Sequence, residues 1–201
     1  MKNKIKLLVF DGYGVVMTRG YPDTEAVLAR RFGLPVKKLH EVIYTKYFNM
    51  AAERKITQKQ AWQFPVKELN LPITWQELAK IHLDLLNIRP QELRFVQSLK
   101  KKYQTLMLSK NTRSQFAYTR KKLPQAWKAF NHVINTWELG LPKASRQTIS
   151  LVAKRFTVKP SEMLYVDDQA SNLAKPRKMG VTTILYRNYH QFKRDVLKVL
   201  K

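Results

Sequence analysis

Residues 5–10, IKLLVF, are apolar except at Lys6 and stop at a carboxylate, Asp11, with Gly12 and Gly14 close behind. A short, almost continuous apolar run reads as a strand buried on both faces of a parallel sheet. The glycines let the chain turn sharply where that strand ends. The same design recurs: residues 105–108, apolar after Thr105, run into Ser109, and residues 163–166 run apolar into Asp167 and Asp168. Further strands are expected at residues 133–134 and 181–185, and helices from Pro90 to about Lys102, over 145–156 and over 170–179. Alternating strands and helices predict an α/β fold, a doubly wound and mainly parallel sheet. In such sheets ligands bind beyond the carboxyl ends of the strands, where Asp11, Ser109 and Asp167 stand.

Between the first strand and Pro90 the periodicity turns helical, with amphipathic segments over 23–32, 36–49, 57–69 and 74–85, punctuated by Pro22, Pro35, Pro65 and Pro72. Thr57 and Thr74 read as helix starts, and Thr74 with Glu77 three residues on makes a capping box. Residues 17–90 are therefore expected to form a small all-helical insertion, with 1–16 and 91–201 as the α/β core.

Composition narrows the chemistry. With 201 residues and 44% apolar side chains, the chain can bury one substantial core. It has no cysteine, which removes disulfides, thiolate metal sites and cysteine nucleophiles together. The apolar run near the start is too short for a signal peptide, and no stretch is long enough to span a membrane. A cytoplasmic protein is expected, with no membrane partner. The net charge of +24 lies mostly outside residues 17–90, which carry +5 against +19 for the remainder. Such a field attracts anions of any kind, phosphorylated metabolites and nucleic acid included, and charge alone supports neither over a basic solvated surface. The four tryptophans are scattered and do not form a stacking platform for single strands. Oligomeric state is not legible.

A lone Asp after a strand is commonly a turn residue, a lone Ser a cap and a lone Lys a solvated charge. Adjacent Asp167 and Asp168 at the end of an apolar strand are different, since they repel unless a cation or donors hold them.

Taken in order, four segments resemble the motifs of the haloacid dehalogenase superfamily: KLLVFDGYGVV, LMLSKNTR, ELGLPKASRQTISLVAKRF and SEMLYVDDQASNLAKPRKMGVTTILY. The resemblance spans essentially the whole chain, is of the subfamily IA type with a helical cap at 17–90, and from Ser109 to Tyr186 is most similar to the sugar phosphatase branch acting on glucose 1-phosphate. It implies a hydrolase acting on a small phosphorylated substrate, possessing a nucleophilic Asp11 that forms an aspartyl-phosphate. It further implies Mg²⁺ held by Asp11, the carbonyl of Tyr13 and the Asp167/Asp168 pair, with Asp168 favoured as the direct ligand. Ser109 and Lys143 would act in catalysis by binding the phosphoryl group, and Asn172 would orient the acidic pair.

The sequence departs from the family at three places. Tyr13 stands where most of its phosphatases carry a second, general acid and base Asp, Lys110 follows Ser109 in place of Asn, and Ala144 follows Lys143 in place of Pro. Loss of a positioned acid typically costs about 10²- to 10⁴-fold in rate. Phosphatase activity leads nonetheless, because the resembling branch also tolerates a non-acidic residue at the position of Tyr13. A 2-haloacid dehalogenase shares Asp-x-Tyr-Gly but lacks the acidic pair. A catalytically weak protein that binds an anionic partner such as nucleic acid is the reading from another class. Specificity is expected to reside in the cap, among Tyr21, His40, Tyr44, Tyr47, Phe48 and Arg54, although aromatics at helical spacing more often pack a core.

Overall fold

A computed structural model describes residues 4–201; Met1–Asn3, at the start of the expected core, lie outside the described residues. Five strands, β1 (Leu7–Phe10), β2 (Gln104–Ser109), β3 (His132–Asn135), β4 (Met163–Asp167) and β5 (Thr182–Leu185), form one sheet in the order β3-β2-β1-β4-β5. Every pairing is parallel. The expected α/β architecture is therefore present, and the carboxyl ends of its central strands converge.

Each face of the sheet buries its own core, as strand alternation requires. Leu8, Phe10, Met107, Leu164 and Val166 pack with Val96, Phe192 and Val196 on one face. Leu7, Val9, Leu106, Leu108 and Tyr165 pack with Ile149, Val152 and Leu173 on the other.

Between β1 and the sheet's second strand run α1 (Tyr21–Phe32), α2 (Val36–Leu39), a π-helical stretch His40–Phe48, α3 (Asn49–Ala52), α4 (Gln58–Glu68), α5 (Trp75–Asp84) and α6 (Pro90–Lys100). Leu28, Ile43, Trp62 and Leu78, among others, give the helices from α1 to α5 a hydrophobic cluster of their own. Both threonine starts cap as expected: Thr74 with Glu77 and Thr57 with Gln60 form complete capping boxes. Pro65 does not break the pattern but lies inside α4 near its end. The helix expected over 36–49 forms, with its middle in π rather than α geometry.

The second half adds α7 (Arg113–Lys122), α8 (Pro124–Lys128), α9 (Thr136–Leu139), α10 (Arg146–Arg155), α11 (Ala170–Lys178) and α12 (Tyr189–Leu200). No helix among the described residues is long and apolar enough to cross a membrane.

Candidate active site

Asp11 leaves β1 with its N–H donating to the Val166 carbonyl at 2.9 Å, which anchors it at the end of β4. The turn that follows is closed by Val16 and Met17 N–H groups donating to the Gly12 carbonyl and by Gly14 N–H donating to that of Met17. None of these bonds uses the Tyr13 carbonyl. Gly14 has φ +95°, and a Cβ there would fall 2.3 Å from Asp168 Oδ2, so glycine is required both by the backbone and by the carboxylate beside it.

Lys143 arrives from the loop between α9 and α10. Gly140, with φ 65°, ends α9, and Ser145 caps α10 by accepting from Thr148 N–H. Thr148 Oγ1 also donates to the Pro142 carbonyl at 2.7 Å, fixing the residue before the lysine. Lys143 Nζ then lies 2.7 Å from Asp11 Oδ2 and 2.8 Å from Asp167 Oδ2, with all three side chains buried.

The two adjacent aspartates differ sharply. Asp167 accepts from Lys143 Nζ, from Tyr165 Oη at 3.0 Å, from Gln169 N–H at 2.8 Å and from Asn172 Nδ2 at 3.0 Å. Its lone pairs are committed to protein donors. Asp168 Oδ1, by contrast, is buried without a partner among the described residues. Carboxylate oxygens of Asp11, Asp167 and Asp168 all lie within 4.8 Å of one another.

Two buried carboxylates and a partly buried third against one ammonium leave a formal excess of negative charge, which a low-dielectric site tolerates poorly. Burial pushes Asp11 upward, Lys143 opposes that shift, and the other two aspartates add to it. Burial and then Asp167 push Asp168 up to about 6. For Lys143, burial acts to lower the pKa, but Asp11 and Asp167 outweigh it and hold the ammonium well above its ordinary range. A divalent cation among hard oxygen donors relieves this imbalance and gives Asp168 Oδ1 a partner, so the residues present fit such an ion.

Ser109, at the end of β2, is fully buried, and its Oγ has no hydrogen-bond partner among the described residues. Tyr13 points its phenol toward Thr119 and Asn111; burial raises its pKa, and Oη makes no well-formed hydrogen bond there. The cavity over Asp11 has a volume of about 260 Å³ and is walled by Tyr13, Tyr44, Lys110, Lys143 and Asp168 among others.

Of the residues expected from the insertion, Tyr21, His40, Tyr44 and Phe48 reach this cavity. Tyr47 does not line it: its hydroxyl donates to Glu68 and its ring packs edge-on against Phe64. Arg54 sits instead over the Trp137 ring at 4.4 Å. Sequence reasoning missed a polar chain beneath the cavity. Gln115 donates to His82 Nε2 at 2.6 Å and accepts from Tyr21 Oη, while His82 Nδ1 lies 2.9 Å from Thr24 Oγ1. It also missed Tyr165 and Gln169 as partners of Asp167. A His, a Gln or a Tyr in isolation carries no signal of such a role.

A parallel sheet with an aspartate nucleophile candidate, a lysine and an acidic pair at its carboxyl edge defines a hydrolase of the α/β class. The chain belongs to the haloacid dehalogenase-like (HAD) hydrolase family, whose sequence profile matches residues 5–180. Rat bifunctional epoxide hydrolase 2 is 34% identical over 70 residues, a match spanning 35% of this chain and only 13% of that relative. Among solved structures, a HAD-like hydrolase from Porphyromonas gingivalis superposes with a TM-score of 0.73 at 19% identity, covering 98% of both chains. A HAD family enzyme from Bacteroides thetaiotaomicron, solved with magnesium and inorganic phosphate, gives 0.66 at 16% identity over 91% of this chain and 94% of that one. L-2-haloacid dehalogenase from Xanthobacter autotrophicus, with chloropropionic acid covalently bound, gives 0.67 at 16% identity, covering 96% and 83%. These structural likenesses establish the shared fold.

Proposed function

We propose that the chain is a Mg²⁺-dependent phosphate monoester hydrolase acting on a small phosphorylated metabolite through an aspartyl-phosphate on Asp11. The observation that carries this reading is the contrast within the acidic pair: Asp167 is saturated by protein donors, whereas Asp168 keeps a buried oxygen unpartnered beside Asp11. Asp11, Asp168 and the Tyr13 carbonyl would hold the metal, with Asp167 beside them. When bound, Mg²⁺ supplies charge neutralisation and polarisation of a phosphoryl oxygen.

Asp11 attacks phosphorus, forming an O–P bond as the alcohol oxygen departs with its electron pair and takes a proton from solvent. Lys143, 2.7 Å from Asp11, screens the repulsion between carboxylate and phosphate dianion. Ser109 Oγ, otherwise unpartnered, donates to a phosphoryl oxygen. Water then attacks phosphorus, the bond to Asp11 breaks, and inorganic phosphate leaves. The helices of residues 17–90 act as a cap that excludes bulk water from the cavity.

The fold and the Asp-Gly-Tyr-Gly turn also suit a haloacid dehalogenase, as the Xanthobacter structure illustrates. Displacement of halide from carbon gives the unpartnered Asp168 oxygen no task, and this favours phosphoryl transfer. Assay of p-nitrophenyl phosphate and 2-chloropropionate in parallel separates the two. Phosphate release that needs Mg²⁺, stops with chelator and vanishes in Asp11→Asn is expected; halide release without phosphate turnover would reverse the assignment.

A further inference from the structure

The cavity over Asp11 meets a second one of about 560 Å³, and Lys110, Lys143 and Asn172 line both. Beyond that shared wall the second cavity presents Arg54 and Lys175 against a single acidic residue, Glu53. The two cations at the junction have unequal commitments. Lys143 is held by Asp11 and Asp167. Lys110 forms no ion pair with a carboxylate among the described residues; its Nζ donates to Asn49 Oδ1 at 2.9 Å and lies 5.2 and 5.4 Å from the Tyr44 and Phe48 ring centroids.

An ammonium has three donors, and Lys110 makes one hydrogen bond to an oxygen, so two N–H groups face nothing better than ring faces in a partly desolvated position. Burial, reinforced by the charge of Lys143, lowers its pKa to about 8. Asp11, Glu53 and Asp167 oppose that shift from outside ion-pair distance, so a cation in such a place gains from a ligand that brings an anion into direct contact. The transferring phosphoryl group already has Lys143 and Ser109. Lys110 stands one residue beyond Ser109, on the side where helical-insertion aromatics and the basic second cavity meet.

Resting on the phosphatase reading above, we propose that the substrate's leaving alcohol carries a second anionic group, and that Lys110 binds it at the junction of the two cavities. Lys110 is then a specificity-determining residue, and the favoured substrates are phosphate esters bearing a further carboxylate or phosphate.

Two matched pairs of esters test this: glycerol 3-phosphate against 3-phosphoglycerate, which adds a carboxylate, and fructose 6-phosphate against fructose 1,6-bisphosphate, which adds a phosphate. A charge-assisted contact predicts that the wild-type chain prefers the doubly anionic member of at least one pair by about 10- to 100-fold in kcat/KM. The pair that shows the preference identifies the group. In Lys110→Met the ratio collapses toward one, chiefly through KM, and in Lys110→Arg it survives. A wild-type ratio near one in both pairs, with p-nitrophenyl phosphate still turned over, overturns this inference alone. So does a ratio that persists in Lys110→Met. No turnover of any phosphate ester overturns the phosphatase reading and this inference with it.

Discussion

Asp167 and Asp168 share a sequence neighbourhood but not an environment. Asp167 is fully buried and accepts from four protein groups, so an amide there takes one carboxylate from Lys143, which keeps Asp11, and turns a buried acceptor into a donor facing other donors. Leaving buried donors unsatisfied costs about 1–3 kcal/mol, and Asp167→Asn is expected to lower the melting temperature whether or not metal is present. Asp168→Asn removes a repulsive charge that no protein donor balances on Oδ1. In chelator its melting temperature should equal or exceed the wild type's, while its Mg²⁺-dependent turnover falls by orders of magnitude. Thermal denaturation with chelator and with Mg²⁺ checks both; equal losses of stability in the two variants would contradict the division of tasks.

His82 offers a test at the same scale. Burial, with a smaller contribution from Lys122, lowers its pKa to about 3, while an unfolded histidine titrates near its ordinary value. Between those values the unfolded chain binds a proton that the folded chain refuses. Stability is thus complete above about pH 6.5 and declines as pH falls below it, by on the order of 2 kcal/mol at pH 5. Denaturant titrations from pH 8 to 5 should show a shallower acid loss in His82→Gln than in the wild type. Parallel slopes would mean that His82 is protonated in the fold.

At the scale of elements, the capping box of α5 sets its start: Thr74 Oγ1 accepts from Glu77 N–H and Glu77 accepts from Thr74 N–H. Thr74→Ala should cost about 1 kcal/mol in denaturant-induced unfolding, with an unchanged m-value. This start was legible in the sequence because it is local chemistry. So were β1, β2 and β4, whose apolar runs stop at Asp11, Ser109 and Asp167. The helix α7 was not legible, for a physical reason: two of its buried positions are Gln115 and Thr119, so apolar periodicity carries little of its signal. The π geometry of His40–Phe48 was equally silent, since it is a choice of hydrogen-bond partner within a pattern that reads as an ordinary helix. Lys110 was noticed as a departure from the family. Its partial burial beside Tyr44 and Phe48 depends on the π-helical stretch His40–Phe48 lying next to the residue after β2, which no local spacing reports.

At the scale of the whole molecule, the sheet brings four chain segments distant in sequence to one edge. Asp11 and the acidic pair come from adjacent strands β1 and β4, Ser109 ends β2, and Lys143 enters from the loop before α10. The site lacks a second carboxylate two residues after Asp11, and Tyr13 directs its buried phenol toward Thr119 and Asn111. In the proposed mechanism, formation of the acyl phosphate uses the carboxylate, lysine and serine that are present, while its hydrolysis lacks a positioned base, so the intermediate should persist. The direct measurement is borohydride trapping during turnover of p-nitrophenyl phosphate with Mg²⁺, followed by peptide mass analysis. Reduction of an aspartyl-phosphate yields homoserine, and the expected result is homoserine at position 11, absent when substrate or Mg²⁺ is withheld. Phosphate release with Asp11 intact throughout the reaction, or homoserine at another aspartate, would contradict the assignment of Asp11 as the nucleophile.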